Sequence, residues 1–387
     1  MLKILDLFCG AGGLSLGLEM TNLFETICAV DNWKPALDTY KYNNPNTQVL
    51  EYDLSKTYNN NGSKQFIGQI SDSKNIDIIV GGPPCQGMSL AGKRLNNDPR
   101  NQLFKSFVKI VEILKPKLFL MENVPGLLSS GNIYDAIIDS FQNIDYKVLN
   151  RQNPNILKAE MYGIPQIRRR VFFLGVRSDI SFDSTFWPPK KTHKEYKKIM
   201  KSNLILFPET ELKDFITSKT AFYGLPIIYS GEGEEEVEYP SSIDFKVKNE
   251  YLKYILSWKN SKRKLSPKIY NHISSNHTSK MIKMINQTKP GGQVDPKYSD
   301  SKRLHPDRPG FTVKALGAGG GSTNRRAFHF ELDRGTTIRE NARLQSFPDW
   351  YVFQSSKTNQ MSLVGNAVPP LLGNCIGNAI IKGLKVE

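Results

Sequence analysis

Up to about residue 177 the chain repeats one rhythm: a short apolar or β-branched run, a turn, then apolar residues at helical spacing. The pattern predicts strands over 3–8, 26–30, 76–80, 117–121 and 171–176, with helices over 14–20, 34–42 and 103–114. Short strands alternating with helices predict an α/β fold built on a parallel, doubly wound sheet. Ligands on such sheets bind beyond the carboxyl ends of the strands. From about residue 178 the periodicity fades: 190–201 is dense in lysine, 232–238 is acidic beside two glycines, and 258–264 is basic again. Each charge run reads first as a solvated face. Pattern returns after about residue 310 and runs into an apolar helix near 368–384. No internal repeat is visible. The simplest organisation is a catalytic domain over 1–178, a second domain over 179–309, and a segment over 310–387 that returns to the first.

Composition narrows the class. No stretch of about 18 apolar residues occurs, so no membrane span is expected. The first residues alternate and soon turn acidic, as a strand does, without the basic segment and cleavage site of a secretory leader. Four scattered cysteines (Cys9, Cys28, Cys85, Cys375) form no CxxC or Cys/His cluster. That predicts no metal site and no disulfide framework, and makes a reducing cytoplasm the default. A net charge of +15 favours a polyanionic partner.

Four segments carry candidate chemistry; the first three fall where predicted strands end, and the fourth leads into one. DLFCGAGG over 6–13 leads a strand through Gly10, Gly12 and Gly13 into a helix, a turn that lets backbone approach a ligand. It is not G-x-G-x-x-G, because Ser15 stands at the third glycine; Asp31, after the second strand, suits ribose hydroxyls. A structural turn is the plain alternative. GGPPCQGMS over 81–89 holds Cys85 behind two prolines, as befits a nucleophile more than a packing cysteine. The following 90–102 is polar and basic (Lys93, Arg94, Arg100) and suits closure over a polyanion, or else is an ordinary surface loop. Glu122, opening ENVPG, would project into the same crevice, unless it is a solvated strand end. In QIRRRVFFLG over 166–175, the period of two puts Arg168 and Arg170 on one face, where both could reach one site; a surface basic cluster is the alternative.

With RENARLQSFPD over 339–349 and QMSLVGNAVPP over 360–370, these segments resemble the ordered motif set of the cytosine-5 DNA methyltransferases of bacterial restriction-modification systems. The resemblance reaches both ends of the chain but not the stretch between 177 and about 309. It implies a Rossmann-like S-adenosylmethionine-dependent methyltransferase domain, with an inserted, smaller target-recognition domain in that stretch. It implies Cys85 as nucleophile on carbon 6 of a flipped cytosine, Glu122 on ring nitrogen 3, Arg170 gripping the base and Arg168 supporting the site. For the cofactor it implies Phe8 stacking on adenine, the turn Gly10, Ala11, Gly12, Gly13 around the methionine part, and Asp31 on the ribose. Trp33 or Asp53 would flank the adenine, with Pro83 and Asn366 completing the site. Gln86, Ser89, Lys93, Arg94, Arg100 and Thr312 would face double-stranded DNA. The product would be S-adenosylhomocysteine, no metal would take part, and the enzyme would act as a monomer in a bacterial cytoplasm, functionally paired with a restriction endonuclease. Three other readings are open. A nicotinamide dehydrogenase, suggested by the first turn alone, would leave the Pro-Pro-Cys-Gln segment and the excess charge without a role. A tRNA cytosine-5 methyltransferase would carry a Cys-Phe-Thr motif in its middle region, whereas no cysteine lies between 85 and 375 here. A non-catalytic DNA-binding relative would be expected to have lost the nucleophile or the cofactor turn.

Overall fold

Ile4, Leu5 and Leu7 are wholly buried, and with Leu2 they make strand β1 (Leu2–Leu7) apolar on both faces, the signature of a central strand. The computed structural model describes residues 1–84, 99–129, 133–149, 154–196, 211–257, 261–262, 267–315 and 327–385. Two compact units divide the chain: 1–157, 169–190 and 372–387 in one, 158–168 and 191–371 in the other.

In the first unit β1 leads to helix α1 (Gly13–Glu19), β2 (Phe24–Asp31), α2 (Lys34–Asn43), β3 (Gln48–Glu51) and α3 (Asn60–Ile67). There follow β4 (Ile78–Gly81), α4 (Pro99–Leu114), β5 (Leu118–Asn123), α5 (Ile133–Gln142), β6 (Tyr146–Val148), β7 (Asn155–Lys158) and β8 (Arg169–Arg177). Among the described residues the sheet order is β3-β2-β1-β4-β5-β8-β6, with β7 on β8. Strands β1 to β5 pair in parallel, but β8 runs antiparallel between β5 and β6. The expected parallel sheet is present through β5, and the edge formed by β8 and β6 adds antiparallel pairing to it. After β6 the chain passes through β7 to β8 with no long helix among the described residues, and antiparallel pairing needs no helical crossover.

Aromatic side chains fill the space under α4 and α5. Phe119 stacks on Phe141 at 3.8 Å between centroids, and Phe107 meets both edge-on. The last helix, Pro370–Leu384, lies against α1 at backbone distance: a Cβ on Gly373 would stand 2.8 Å from the Leu14 carbonyl oxygen, and one on Gly377 2.9 Å from Thr21. Glycine is needed here because two helices touch where a side chain would otherwise separate them.

The second unit carries the short helix α6 (Ser218–Ala221), a hairpin of β9 (Gly233–Val237) with β10 (Ile269–Ile273), and α7 (Glu250–Ile255). It continues with α8 (Ser279–Asn286), α9 (Ile338–Leu344) and α10 (Lys357–Asn366). Helices this short draw little stability from their own backbone bonds. What fixes α9 is a capping box, Thr337 with Glu340, over a buried ionic cluster. Arg334 donates to both carboxylate oxygens of Glu340 (2.9 and 2.7 Å) and Arg343 to both of Asp349 (2.8 and 2.6 Å). Arg339 donates to the carbonyls of Tyr270, Pro348 and Tyr351. Burial alone would push both carboxyl groups up, but the guanidiniums beside them win and hold both below the usual carboxylate range.

Candidate active site

The turn after β1 is held in a conformation that few side chains adopt. Phe8, Gly10 and Gly12 all have positive φ (57°, 53° and 71°), which is an outlier for an aromatic residue. Three bonds hold it there: Cys9 N–H donates to the Val30 carbonyl, Gly12 N–H to the Cys9 carbonyl, and Gly10 N–H to Asp31 Oδ2 at 2.9 Å. Asp31 Oδ1 in turn accepts from the amides of Asn32 and Trp33. Burial raises the Asp31 carboxyl, and these three amides oppose the rise. A Cβ built on Gly10 would meet nothing within 4 Å, so the turn faces open space.

Behind it, Asp6 is buried and its Oδ2 has no hydrogen-bond partner. Burial pushes this carboxyl up to about 7. An orphaned acidic oxygen next to a roomy glycine turn suits a ligand that brings a cation. Asp6 was missed in the sequence because an acid at a strand end usually reads as solvated; only its burial gives it away. Trp33 is half-buried at the head of α2, Ala11 is buried inside the turn, and Asp53, just past β3, uses one oxygen to cap a short turn through the Ser55 amide.

A second group of residues gathers where β4 and β5 end. A Cβ on Gly81 would stand 2.3 Å from the Leu7 carbonyl oxygen, and one on Gly82 2.9 Å from Glu122 Oε2. Only glycine lets the chain leave β4 against these neighbours. Pro83 is buried, and its carbonyl accepts from Asn123 Nδ2 at 3.0 Å. Glu122 Oε1 is paired with Arg170 Nε at 2.7 Å, both side chains being mostly buried (12% and 14% exposed). The predicted residues Cys85, Gln86, Ser89, Lys93 and Arg94 lie outside the described residues, and Arg100 stands in the first turn of α4.

The remaining predicted residues belong to the second unit. Arg168 precedes β8, so the strand period that grouped it with Arg170 does not extend to it. Its buried guanidinium donates to the carbonyls of Val313, Gly365 and Ala367 at 2.9–3.0 Å. Gln166 and Gln345 extend this network. Gln166 Nε2 donates to Gln345 Oε1, and Gln345 Nε2 donates to the carbonyls of Val364 and Ala367 at the end of α10. Asn366, the last residue of α10, is exposed between two of the gripped carbonyls. Thr312 Oγ1 donates to the Ile167 carbonyl at 2.6 Å, which leaves the lone pairs of the hydroxyl as its free face. Among the described residues no cluster of His, Cys, Asp or Glu could hold a metal ion, and no helix is long and apolar enough to cross a membrane.

Comparison with known proteins returns one family. The profile of the C-5 cytosine-specific DNA methylases matches residues 2–382. The chain is 34% identical to the type II methyltransferase M.DdeI of Desulfomicrobium norvegicum, over 98% of this chain and 88% of that one. It is 33% identical to M1.HphI of Haemophilus parahaemolyticus, over 98% and 87% respectively. A solved DNA modification methyltransferase encoded within an E. coli prophage superposes with a TM-score of 0.79 at 28% identity, covering 100% of both chains. The S. pombe Dnmt2 methyltransferase, at 17% identity and a TM-score of 0.57 over 99% of each chain, shares the fold.

Proposed function

Because this chain belongs to the C-5 cytosine-specific DNA methylases, we propose that it methylates carbon 5 of a flipped-out cytosine in a specific double-stranded sequence, with Cys85 as the nucleophile. The observation that carries this reading is the Glu122–Arg170 pair, held beside the glycine-proline segment that leads from β4 to Cys85. Cytosine lies inside the base stack, so it must be extruded, at a cost of roughly a few kcal/mol. The Cys85 thiolate adds to carbon 6 and makes carbon 5 electron-rich. Glu122 holds a proton at ring nitrogen 3, where charge develops during the addition, and Arg170 fixes Glu122 and meets the base. S-Adenosylmethionine, when bound, supplies an electrophilic methyl group on its sulfonium. A base acting through water then takes the carbon 5 proton, and the C–H electron pair restores the ring double bond as the Cys85 sulfur leaves as thiolate.

The residues around the first turn fit that cofactor. Phe8 and Trp33 offer aromatic faces for adenine, Asp31 an acid for the ribose, and Asp53 a free oxygen beside them. The turn from Gly10 through Ala11 and Gly12 to Gly13 leaves room for the methionine part, Asp6 offers its ammonium a carboxylate, and Pro83 and Asn366 complete the set by family relation. Residues 179–309, with their weak periodicity and charge runs, would read the DNA; Gln86, Ser89, Lys93, Arg94, Arg100 and Thr312 would hold it. By family relation Arg168 would support the site, and within its own unit it holds the Val313, Gly365 and Ala367 carbonyls. One chain carries every group the chemistry needs, so a monomer acting in a bacterial cytoplasm, guarding DNA against a restriction endonuclease, is the setting we favour.

The test uses purified protein, tritiated S-adenosylmethionine and mixed genomic DNA, with Cys85→Ser alongside. Label in 5-methylcytosine, absent from the variant, is expected; label in RNA alone, or undiminished label with the variant, would refute the assignment. The Asp6 assignment has its own pH signature. An ammonium ion prefers ionised Asp6, so binding should release a proton and weaken as pH falls from 8 through about 7 to 6. By calorimetry, Asp6→Asn should bind the cofactor about tenfold or more weakly at pH 8, since charge-assisted bonds contribute about 1.5–3 kcal/mol, and should lose that pH dependence. An unchanged profile in the variant removes Asp6 from the site.

A further inference from the structure

The segment that delivers Cys85 has an unusual anchoring problem. Two consecutive prolines, Pro83 and Pro84, supply no backbone N–H, so only their carbonyls can tie them to the rest of the unit. Pro83 is buried and Pro84 exposed, so the chain turns outward between them. At that point Asn123 Nδ2 donates to the Pro83 carbonyl at 3.0 Å.

The orientation of this amide is not free to reverse. Asn123 Oδ1 accepts from the Val124 N–H at 2.8 Å, which leaves Nδ2 as the atom facing Pro83. The residue is 6% exposed, so the bond is sheltered from competing water. Its neighbour on β5 is Glu122, which crowds Gly82 one residue before Pro83 and pairs with Arg170. The dipeptide at the end of β5 thus contacts two successive residues on the way out of β4. One contact comes from the acid itself, the other from a neutral amide with no chemistry of its own.

From this geometry we infer that Asn123 is a positioning residue for the methyl transfer: its amide sets the distance between the proline-led nucleophile and Glu122. The inference rests on the reading of Cys85 as nucleophile, and it assigns to Asn123 neither contact with the base nor a proton. Asn123 acts on the addition step through the Pro83 carbonyl, and a displacement of about 1 Å in a reacting group can cost up to a hundredfold in rate. Pro83 also belongs to the proposed cofactor set, so the rates are read at saturating S-adenosylmethionine, where a change in cofactor affinity does not enter.

Two substitutions separate positioning from general stability. Asn123→Asp keeps the size and the bond from Val124 N–H but turns an oxygen toward the Pro83 carbonyl; Asn123→Ser keeps a shorter donor. Three quantities are read for each: kcat and KM for DNA, the rate of covalent trapping on duplexes carrying 5-fluorocytosine, and the thermal midpoint. On such duplexes the sulfur–carbon 6 bond persists because fluorine at carbon 5 cannot leave as a proton does. For Asn123→Asp we expect kcat and trapping to fall together by about tenfold or more, with KM within about threefold and Asn123→Ser in between. Trapping at the parental rate in either variant overturns the inference, and so does a loss that appears in KM while kcat stays. Should Asn123→Asp fail to fold, Asn123→Ser decides by the same two criteria. Cys85→Ser run in parallel isolates the premise: methylation surviving there breaks the nucleophile assignment, whatever Asn123 does.

Discussion

Replacing Glu340 with glutamine is expected to remove about 3–5 kcal/mol of stability, the usual cost of stripping one partner from a buried ion pair. Arg334 is 1% exposed and aims two of its N–H groups at the Glu340 carboxylate, so a neutral amide leaves its charge buried without a counter-ion. Glu340 also accepts from the Thr337 N–H at 2.8 Å, so the substitution weakens the cap of α9 as well. Set against the 5–15 kcal/mol of a typical domain, that loss is a large fraction of the total. The pH dependence has a definite sign. The Glu340 carboxyl is held low in the folded chain, so its contribution is fully present above the ordinary glutamate value near 4.3. It is lost progressively as pH falls toward the depressed folded value. Urea unfolding at pH 7 and pH 4 measures both effects, and the variant should show a shallower acid limb than the parent. A difference below about 1 kcal/mol at pH 7 would mean that the pair only offsets its own desolvation.

The second large effect is on rate. Glu122→Gln should lower kcat by about 10²–10³, the range for losing a group that stabilises charge or holds a proton in a transition state. The amide keeps the shape and can still accept from Arg170, but it cannot hold the proton at nitrogen 3. Nor does it neutralise a guanidinium that lies 2.7 Å away and is only 14% exposed. Single-turnover methylation under saturating cofactor and DNA is the decisive assay. A kcat within threefold of the parent would remove Glu122 from the chemistry and reduce its pair with Arg170 to scaffolding.

Much of this was legible before any coordinates, for reasons that can be traced. Strands β1, β2, β4, β5 and β8 were expected to within a few residues because buried parallel strands leave apolar runs that turn residues punctuate. Gly10 stood out because glycine marks close approach, and its positive φ bears this out; the crowding at Gly81 and Gly82 came only with the structure. The direction of β8 was not legible, since a strand's pairing partner is decided by distant chain. For the same reason the network of Gln166, Arg168 and Gln345 escaped notice: Gln166 and Arg168 meet carbonyls 145–199 residues away in sequence. Carbonyls leave no signature in a sequence. Asn123 was passed over beside the more conspicuous Glu122 because a neutral amide advertises no chemistry. Buried arginines such as Arg334 and Arg339 look, in one dimension, like surface charge.

The contact of Gly373 and Gly377 with α1 has a consequence for the order of events in a cell. Helix α1 carries the turn proposed to receive the cofactor, yet the helix that covers it is made roughly 350 residues later, which at about 5–20 residues per second is a delay of roughly 20–70 s. Throughout that interval the sheet can form while one flank of α1 stays uncovered. A nascent chain in this condition is exposed to proteases and chaperones and lacks a finished cofactor site. Methylation is therefore expected to start only once this last helix has docked on α1, and a chain that lacks the helix is expected to leave DNA unmarked.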